Sequence, residues 1–242
     1  MEKYFSTVAN VNSKIAKWRI FGSDEDVVKA IKRVVWLLSF GTHHIMETNV
    51  LLLRNYGFSD MMIKKIVLRN PNSITQKPEW FKDFLHKVEK DFRVTPDSAT
   101  FLYGFRALAC QKQSTLEKNI GIFKSFGWSD DQIVEMFRKL PHCVTFSEVR
   151  IEKALNLYMK ELSFEPAYLA SRPALLACSM ENKVVPRMQV LNILDEKKLE
   201  RRKLALYPVL MLTESKFIDY FVLPYKDQIP DLHESHKKLV TS

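Results

Sequence analysis

Glycine is scarce in this chain, with only 6 glycines in 242 residues. That scarcity argues against a β-sandwich, because such folds need many tight turns. Hydrophobic residues make up 46% and charged residues 27% of the sequence, which argues against intrinsic disorder. The chain therefore has enough apolar residues to fold as one large domain or two small ones.

Cysteines and long apolar runs are also few. The three cysteines, Cys110, Cys143 and Cys178, form no CxxC pair. We interpret them as small buried apolar residues in a reducing compartment. The longest strongly apolar run, Val34 to Leu38, is far shorter than the roughly 20 residues that a membrane helix needs. The sequence therefore predicts no membrane span.

Recognisable catalytic motifs are missing as well. The six histidines are scattered, and there is no Ser–His–Asp order, zinc motif or phosphate-cradling glycine loop. We interpret the His43-His44 pair as structural or solvated. Asp130 and Asp131 stand at a predicted helix start, where the helix dipole accounts for them. The sequence therefore predicts a protein that is not an enzyme and has no catalytic residues, metal site or cofactor.

A helical cassette occupies residues 116–144. An apolar series with helical spacing ends at Gly127, which is a natural helix stop. Ser129 then supplies an N-cap, and Gln132 is its partner in a capping box. A second helical series follows until Pro141 interrupts it. This stretch predicts two helices joined by a glycine turn.

The cassette recurs along the chain. Seventy residues upstream, Gly57, Ser59 and Pro71 take the places of Gly127, Ser129 and Pro141. A step of about 35 residues also reaches counterparts, because the proline position is filled in turn by Pro71, Arg106, Pro141, Pro173 and Pro208. Repeats of this length are typical of helical solenoids. The register predicts an all-α stack of helix pairs with no β-sheet, in which Gly57 and Gly127 are helix stops.

We expect one repeat array over residues 1–242. The predicted repeats are 8–40, 41–76, 77–111, 112–146, 147–178 and 179–213, followed by a C-terminal cap over 214–242. Residues 1–22 also have the basic, Ser- and Thr-containing composition of an organelle transit peptide. We favour the first repeat for this segment, because Gly22 lies 35 residues before Gly57.

The segments PALLACSMENKVVPRMQVLNIL and ESKFIDYFVLPYKDQIPDL, together with the Gly–Ser-Asp–Pro cassettes, carry a family resemblance. The chain resembles the mitochondrial transcription termination factor (mTERF) family, in its plant-type branch, over nearly its whole length. The resemblance implies a superhelical solenoid in which each repeat has two α-helices and a short 3₁₀ turn. It also implies a basic concave surface that binds nucleic acid in mitochondria or chloroplasts. Trp36 and Arg106 depart from the family's repeated proline.

A net charge of +9 suits an anionic partner. Basic side chains that recur in repeat phase can follow a phosphate backbone along a solenoid. The candidate nucleic-acid-binding residues are Lys118, Arg150, Lys153, Lys183, Arg187, Arg69, Lys139, Arg201 and Arg202. Two alternatives stay open here. Instead of binding phosphate, Arg187 could close a helix end or pair with Glu181. Residues 195–203 could likewise form a solvated helix face rather than a phosphate-binding segment.

The sequence thus predicts an organellar protein that binds double-stranded DNA or RNA as a monomer. Its expected role is to regulate organelle transcription, its termination, or RNA processing, in the mitochondrion or the chloroplast. Phosphate contacts would give it affinity with little sequence preference. The alternative is a helical-repeat scaffold that binds a protein partner. An exposed aromatic stripe would favour the scaffold, and the in-phase basic residues favour nucleic acid.

Overall fold

The computed structural model describes residues 42–69, 73–109 and 111–241, together with residues 23 and 25. Every regular element in these ranges is helical, and they contain no β-strand. The predicted all-α helical-repeat fold is therefore confirmed. The first predicted repeat, with Gly22 and Trp36, lies almost wholly outside the described residues. Two compact units divide the chain between residues 148 and 149, which is close to the predicted boundary of repeats four and five.

The first unit contains six described α-helices. They are α1 (Thr42–Asn55), α2 (Asp60–Arg69), α3 (Pro78–His86), α4 (Ala99–Ala109), α5 (Gln113–Ser125) and α6 (Asp130–Lys139). A π-helical turn, Lys87–Asp91, extends α3. Short 3₁₀ turns follow α2 at Ser73–Thr75 and α6 at Pro141–Thr145. The second and fourth repeats therefore have the expected pattern of two helices and a 3₁₀ turn.

The second unit begins within the first turn of α7 and contains seven described α-helices. Its helices are α7 (Glu148–Leu155), α8 (Pro166–Ser171), α9 (Ala174–Ala177), α10 (Val185–Glu196), α11 (Leu206–Met211), α12 (Glu214–Phe221) and α13 (Leu232–Thr241). Two π-helical turns, Asn156–Glu161 and Met180–Val184, follow α7 and precede α10. The short helix α9 stands where the fifth repeat was expected to have a 3₁₀ turn.

Glycine turns join the helix pairs of the second and fourth repeats. Gly57 has φ of 82° and Gly127 has φ of 84°, which is the left-handed conformation in which a glycine ends a helix. The capping box is confirmed. The Ser129 backbone N–H donates to Gln132 Oε1 at 2.9 Å, and the Gln132 N–H donates to Ser129 Oγ at 3.3 Å. Local sequence signals fix these turns, because each one satisfies helix-end groups that otherwise lack partners.

The third and fifth repeats end their first helix in a different way. They have no glycine at this turn, and α3 and α7 widen into π-helical turns before they stop. The next left-handed residues are Arg93, with φ of 51°, and Ser163, with φ of 55°, which lie 70 residues apart. Two kinds of repeat therefore alternate, and the structure recurs most closely at 70 residues rather than at 35.

Aromatic contacts fill the interior of each unit. In the first unit the rings of Phe92 and Phe137 stack with centroids 3.8 Å apart. Gly104 packs so closely on Phe137 that an added Cβ would lie 2.9 Å from the ring. In the second unit, Phe217 and Phe221 stack at 5.4 Å within a core formed by α10, α11 and α12. Such packing fixes where each repeat's surface side chains stand.

Candidate nucleic-acid interface

Two of the predicted lysines reach carboxylates of the repeat that follows. Lys118 Nζ lies 3.9 Å from Glu148 Oε1 in the first unit. In the second unit the Lys153 ammonium group forms a hydrogen bond with the Glu181 carboxylate. All four side chains are exposed, and exposed ion pairs contribute little to stability. These lysines therefore remain at the surface, where a phosphate can compete for them.

Three predicted residues come together in the second unit around the turn from Ala177 to Lys183. We call Arg150, Lys153 and Lys183 the basic cluster. Arg150 Nη2 donates to the carbonyl oxygen of Ala177 at 2.7 Å. Lys153 bonds to Glu181, and Lys183 belongs to the π-helical turn that precedes α10. Packing thus gathers basic residues that are up to 33 positions apart in the sequence.

The cluster retains its positive charge. Burial raises the pKa of the Cys178 thiol, although nearby Lys183, Arg187 and Arg150 oppose that shift. This thiol therefore stays neutral near pH 7 and cancels no charge. The Lys153 hydrogen bond lowers the pKa of Glu181, which is exposed and ionised. Lys153 bonds to this carboxylate, and Arg150 and Lys183 add further positive charge around the turn.

The structure corrects the prediction for Arg187. Its side chain is only 1% exposed. Nη1 donates to the carbonyl oxygens of Val209 and Leu212, both at 2.9 Å, and Nη2 donates to Glu214 Oε2 at 2.8 Å. A phosphate cannot reach this guanidinium group without unfolding the core around it. The alternative interpretation fits better, except that the carboxylate partner is Glu214 and not Glu181.

The two other predicted arginines of the second unit differ from each other. Arg201 forms a bidentate pair with Asp195, with Nε–Oδ1 at 2.7 Å and Nη2–Oδ2 at 2.9 Å. This hydrogen bonding lowers the pKa of Asp195. Arg202 is exposed, and its guanidinium carbon lies 4.0 Å from the centre of the Tyr220 ring. Arg201 is thus already paired with a carboxylate, whereas no carboxylate of the described residues forms an ion pair with Arg202.

The remaining predicted residues lie in the first unit. Lys139 is exposed and pairs with Glu135 at 2.7 Å, one helical turn earlier. The Arg69 side chain falls outside the described residues. Lys139 therefore retains access to solvent, and both residues stay predictions as phosphate ligands.

Comparison with known families identifies this architecture. A family model described as mTERF matches residues 6–218, which is most of the chain. The chain belongs to the mTERF family. Members of the family are in general nucleic-acid-binding proteins that regulate transcription and its termination. A comparison with curated proteins finds no match.

The sequence analysis did not predict a role for two buried asparagines of this mTERF chain. Asn49 Nδ2 donates to the carbonyl oxygens of residues 74 and 76 at 2.9 and 2.8 Å. Asn119 Nδ2 donates in the same way to residues 144 and 146 at 2.8 and 2.9 Å. The signal was present, because both asparagines take the fourth place in the aligned segments METN and LEKN. They hold the turn after each helix pair rather than a ligand.

Other kinds of site were sought across the mTERF fold. The described residues hold no group of three or more His, Cys, Asp or Glu side chains that would bind a metal ion. No helix in the described ranges is long and apolar enough to cross a membrane. The basic cluster is therefore the arrangement that bears most directly on function.

Proposed function

We propose that this mTERF-family chain is an organellar protein that binds double-stranded DNA or RNA and thereby regulates organelle transcription, its termination, or RNA processing. It acts by binding as a monomer and performs no chemical step. We further propose that it is of the plant type and works in the mitochondrion or the chloroplast.

The observation that carries this proposal is the basic cluster. Arg150, Lys153 and Lys183 surround one turn, and Lys153 forms a hydrogen bond with the Glu181 carboxylate there. Converging cations lose most of their mutual repulsion when they bind a polyanion, and the counterions released from its backbone add to the affinity. A phosphate backbone suits this surface, and the family's general activity agrees with it.

The protein-scaffold alternative has weaker support. An interface for a protein partner usually has exposed aromatic or apolar anchors at its centre. Among the described residues, the exposed large apolar side chains are mostly aliphatic, and Tyr103 is the one aromatic residue in that group. The aromatic stripe that would favour the scaffold is not found there.

Binding is tested with a fluorescein-labelled 24-base-pair DNA duplex and the matching RNA duplex, by fluorescence anisotropy. If about 6–10 phosphates are contacted, affinity falls by roughly 10³–10⁵ between 50 and 200 mM salt. A flat salt response, or no binding of either duplex at low salt, would contradict the proposal. Preference between the two duplexes then shows which nucleic acid the surface fits.

Charge-matched variants show whether position matters. One variant changes Lys118, Arg150, Lys153 and Lys183 to glutamine. Its control changes four other exposed lysines to glutamine, namely Lys82, Lys112, Lys216 and Lys226. We expect a less steep salt dependence for the first variant than for the control, because each phosphate contact contributes about 0.9 to the slope. Equal losses in the two variants would show that bulk charge alone attracts the duplex.

A further inference from the structure

We propose that the segment Lys197–Lys203, here called the basic loop, is a preformed phosphate-binding element of the second unit. The inference rests on the proposed function, because it assumes a nucleic-acid partner. It goes further by assigning three lysines that lie outside the basic cluster. It also gives Arg201 a positioning role in place of a ligand role.

The charges of the basic loop are accessible. Lys197, Lys198, Arg202 and Lys203 are all exposed. Arg201 is excluded from this set, because its bidentate pair with Asp195 occupies the edge of its guanidinium group. Against the four cations stand two exposed carboxylates, those of Glu196 and Glu200. The loop therefore presents a surplus of positive charge to solvent.

The middle of the basic loop is held in place on both sides. The Leu199 N–H donates to the Leu194 carbonyl oxygen at 3.0 Å, and the Leu199 side chain packs against the core of the unit. Tyr225 Oη donates to the Glu200 carbonyl oxygen at 2.7 Å. The Arg201–Asp195 pair adds a third tether. Three consecutive residues thus fix the loop, so little conformational entropy is lost when it binds.

Arg202 is also oriented before any ligand arrives. Its guanidinium group lies over Tyr220 at 4.0 Å, which uses the flat face of the group and leaves its in-plane N–H donors unoccupied. Within the part of the chain that the structure describes, no hydrogen bond or ion pair engages those donors. Planar N–H donors at the edge of a stacked guanidinium match the oxygens of a phosphate.

The partner's class follows from what surrounds these charges. A protein interface needs a desolvated apolar or aromatic centre. Across residues 186–222, Leu204, at 38% exposure, is the one large apolar side chain that is exposed. A phosphate backbone needs no such centre, because charge and hydrogen bonding supply its affinity. The basic loop therefore fits nucleic acid better than an acidic protein.

The decisive experiment uses the full chain and the 24-base-pair DNA duplex. The loop variant changes Lys197, Lys198, Arg202 and Lys203 to glutamine. The same control as above, with Lys82, Lys112, Lys216 and Lys226 changed to glutamine, loses equal charge. We expect the salt slope of the loop variant to fall by about 3–4, since four contacts at about 0.9 each are lost. Its affinity loss between 50 and 200 mM salt then becomes about 10²-fold smaller.

The tethers are tested without changing charge. Tyr225→Phe removes the hydrogen bond to Glu200 but keeps the ring in the core. We expect affinity to fall about 2–10-fold, from the cost of ordering a looser loop, with an unchanged salt slope because the same phosphates are contacted. A purely structural role for Tyr225 would leave affinity unchanged once the variant is folded.

Each outcome decides between the two proposals. If wild-type protein binds with a steep slope and the loop variant behaves as the control does, the loop inference fails and the proposed function stands. If wild-type protein binds neither the DNA duplex nor the matching RNA duplex, both fail. Poly-L-glutamate serves as the second probe. If wild-type protein binds it as tightly as it binds the duplex, the loop recognises acidic chains in general and its assignment to phosphate is overturned.

Discussion

One interior position of the repeat shows how the two kinds of repeat differ. Steps of 35, 35, 35 and 33 residues lead along it through Asn49, Phe84, Asn119, Ala154 and Arg187. All five side chains are buried. Polar and apolar residues alternate there, and from the second to the fifth repeat the alternation matches that between glycine turns and π-helical turns. Equivalent positions in a repeat protein need not have equivalent chemistry.

The polar residues at this position bind the chain that follows. Asn49 and Asn119 each bridge two carbonyl oxygens, 25 and 27 residues further on. Arg187 binds carbonyl oxygens 22 to 25 residues on, and it also binds Glu214. Each side chain thus supplies donors to a turn whose carbonyl groups would otherwise be buried without partners. In the sixth repeat the Arg187 guanidinium group donates to the following turn, as the asparagine amides do in the second and fourth repeats.

The apolar repeats stabilise their turns by other means. Phe84 and Ala154 offer no donor, and the π-helical turns follow them within three residues. In the fifth repeat the Tyr158 hydroxyl donates to the Leu175 carbonyl oxygen at 3.1 Å instead. Burial raises the pKa of this phenol above its ordinary value of 10. The hydroxyl group therefore keeps its proton, and with it the hydrogen bond, at and below pH 10. In the second, fourth, fifth and sixth repeats the donor is thus an amide, a phenol or a guanidinium group, so the type of donor is not fixed.

The largest effect is expected from removing the arginine. Arg187→Met keeps much of the side-chain volume but removes the donor to the carbonyl oxygens of Val209 and Leu212 and to Glu214 Oε2. We expect the free energy of unfolding to fall by about 3–5 kcal/mol, as for other broken buried pairs. Urea denaturation followed by circular dichroism measures it. A loss below about 1 kcal/mol would show that Arg187 is dispensable at this position.

A smaller loss is expected at the amide position. Asn119→Leu fills a similar volume but removes both hydrogen bonds, and leaving buried carbonyl oxygens unsatisfied costs about 1–3 kcal/mol each. We expect a total loss of about 2–4 kcal/mol in the same urea assay. Phe84→Leu is the matched change at an apolar repeat and should cost about 1 kcal/mol. If the two variants lose equal stability, volume and not hydrogen bonding distinguishes the repeats.

The turns provide a third contrast. Gly127 and Lys198 both have positive φ, at 84° and 55°, and each ends the first helix of its repeat. Gly127→Ala should cost about 1–2 kcal/mol, because a Cβ strains the left-handed conformation. Lys198→Gly should change stability by less than about 1 kcal/mol, since relief of strain offsets the added chain entropy. Thermal melting of both variants tests this. Equal melting temperatures would show that the turns tolerate either residue.

The smallest effect is a dependence on pH. Burial by itself raises the pKa of Glu214, but hydrogen bonds from Arg187 and His236 outweigh it and hold the pKa below its ordinary value of 4.5. A lowered pKa means that the unfolded state binds protons more readily. The stabilisation is therefore complete above pH 4.5 and is lost as the pH falls through the lower, folded-state value.

We expect Glu214→Gln to flatten this part of the stability profile between pH 6 and pH 3. Asp195 also has a lowered pKa, set by Arg201, so Asp195→Asn serves as the control for a carboxylate at a more exposed site. An unchanged profile in the Glu214 variant would show that the Arg187–Glu214–His236 contacts contribute no pH-dependent stability.

The sequence by itself determined the helical repeats, their glycine turns and the family. These features depend on local patterns, since apolar spacing selects the helix and Gly57 and Gly127 select the left-handed turn. The predicted capping box at Ser129 was confirmed for the same reason. In-phase lysines such as Lys118 and Lys153 also remain at the surface as expected, because charged side chains avoid burial when they lack partners.

Only the tertiary structure decided which basic residues are available. Arg187 and Arg202 look alike in the sequence, yet Arg187 is buried against Glu214, whereas the exposed Arg202 stacks on the partly buried Tyr220 ring. The partners of Asn119 and Arg187 lie 22 to 27 residues away. Contacts over that distance depend on how successive helices pack, and no local pattern encodes that geometry. Whether a basic side chain is buried with a partner or exposed to solvent therefore depends on tertiary packing, and the number of charges in the sequence does not show it.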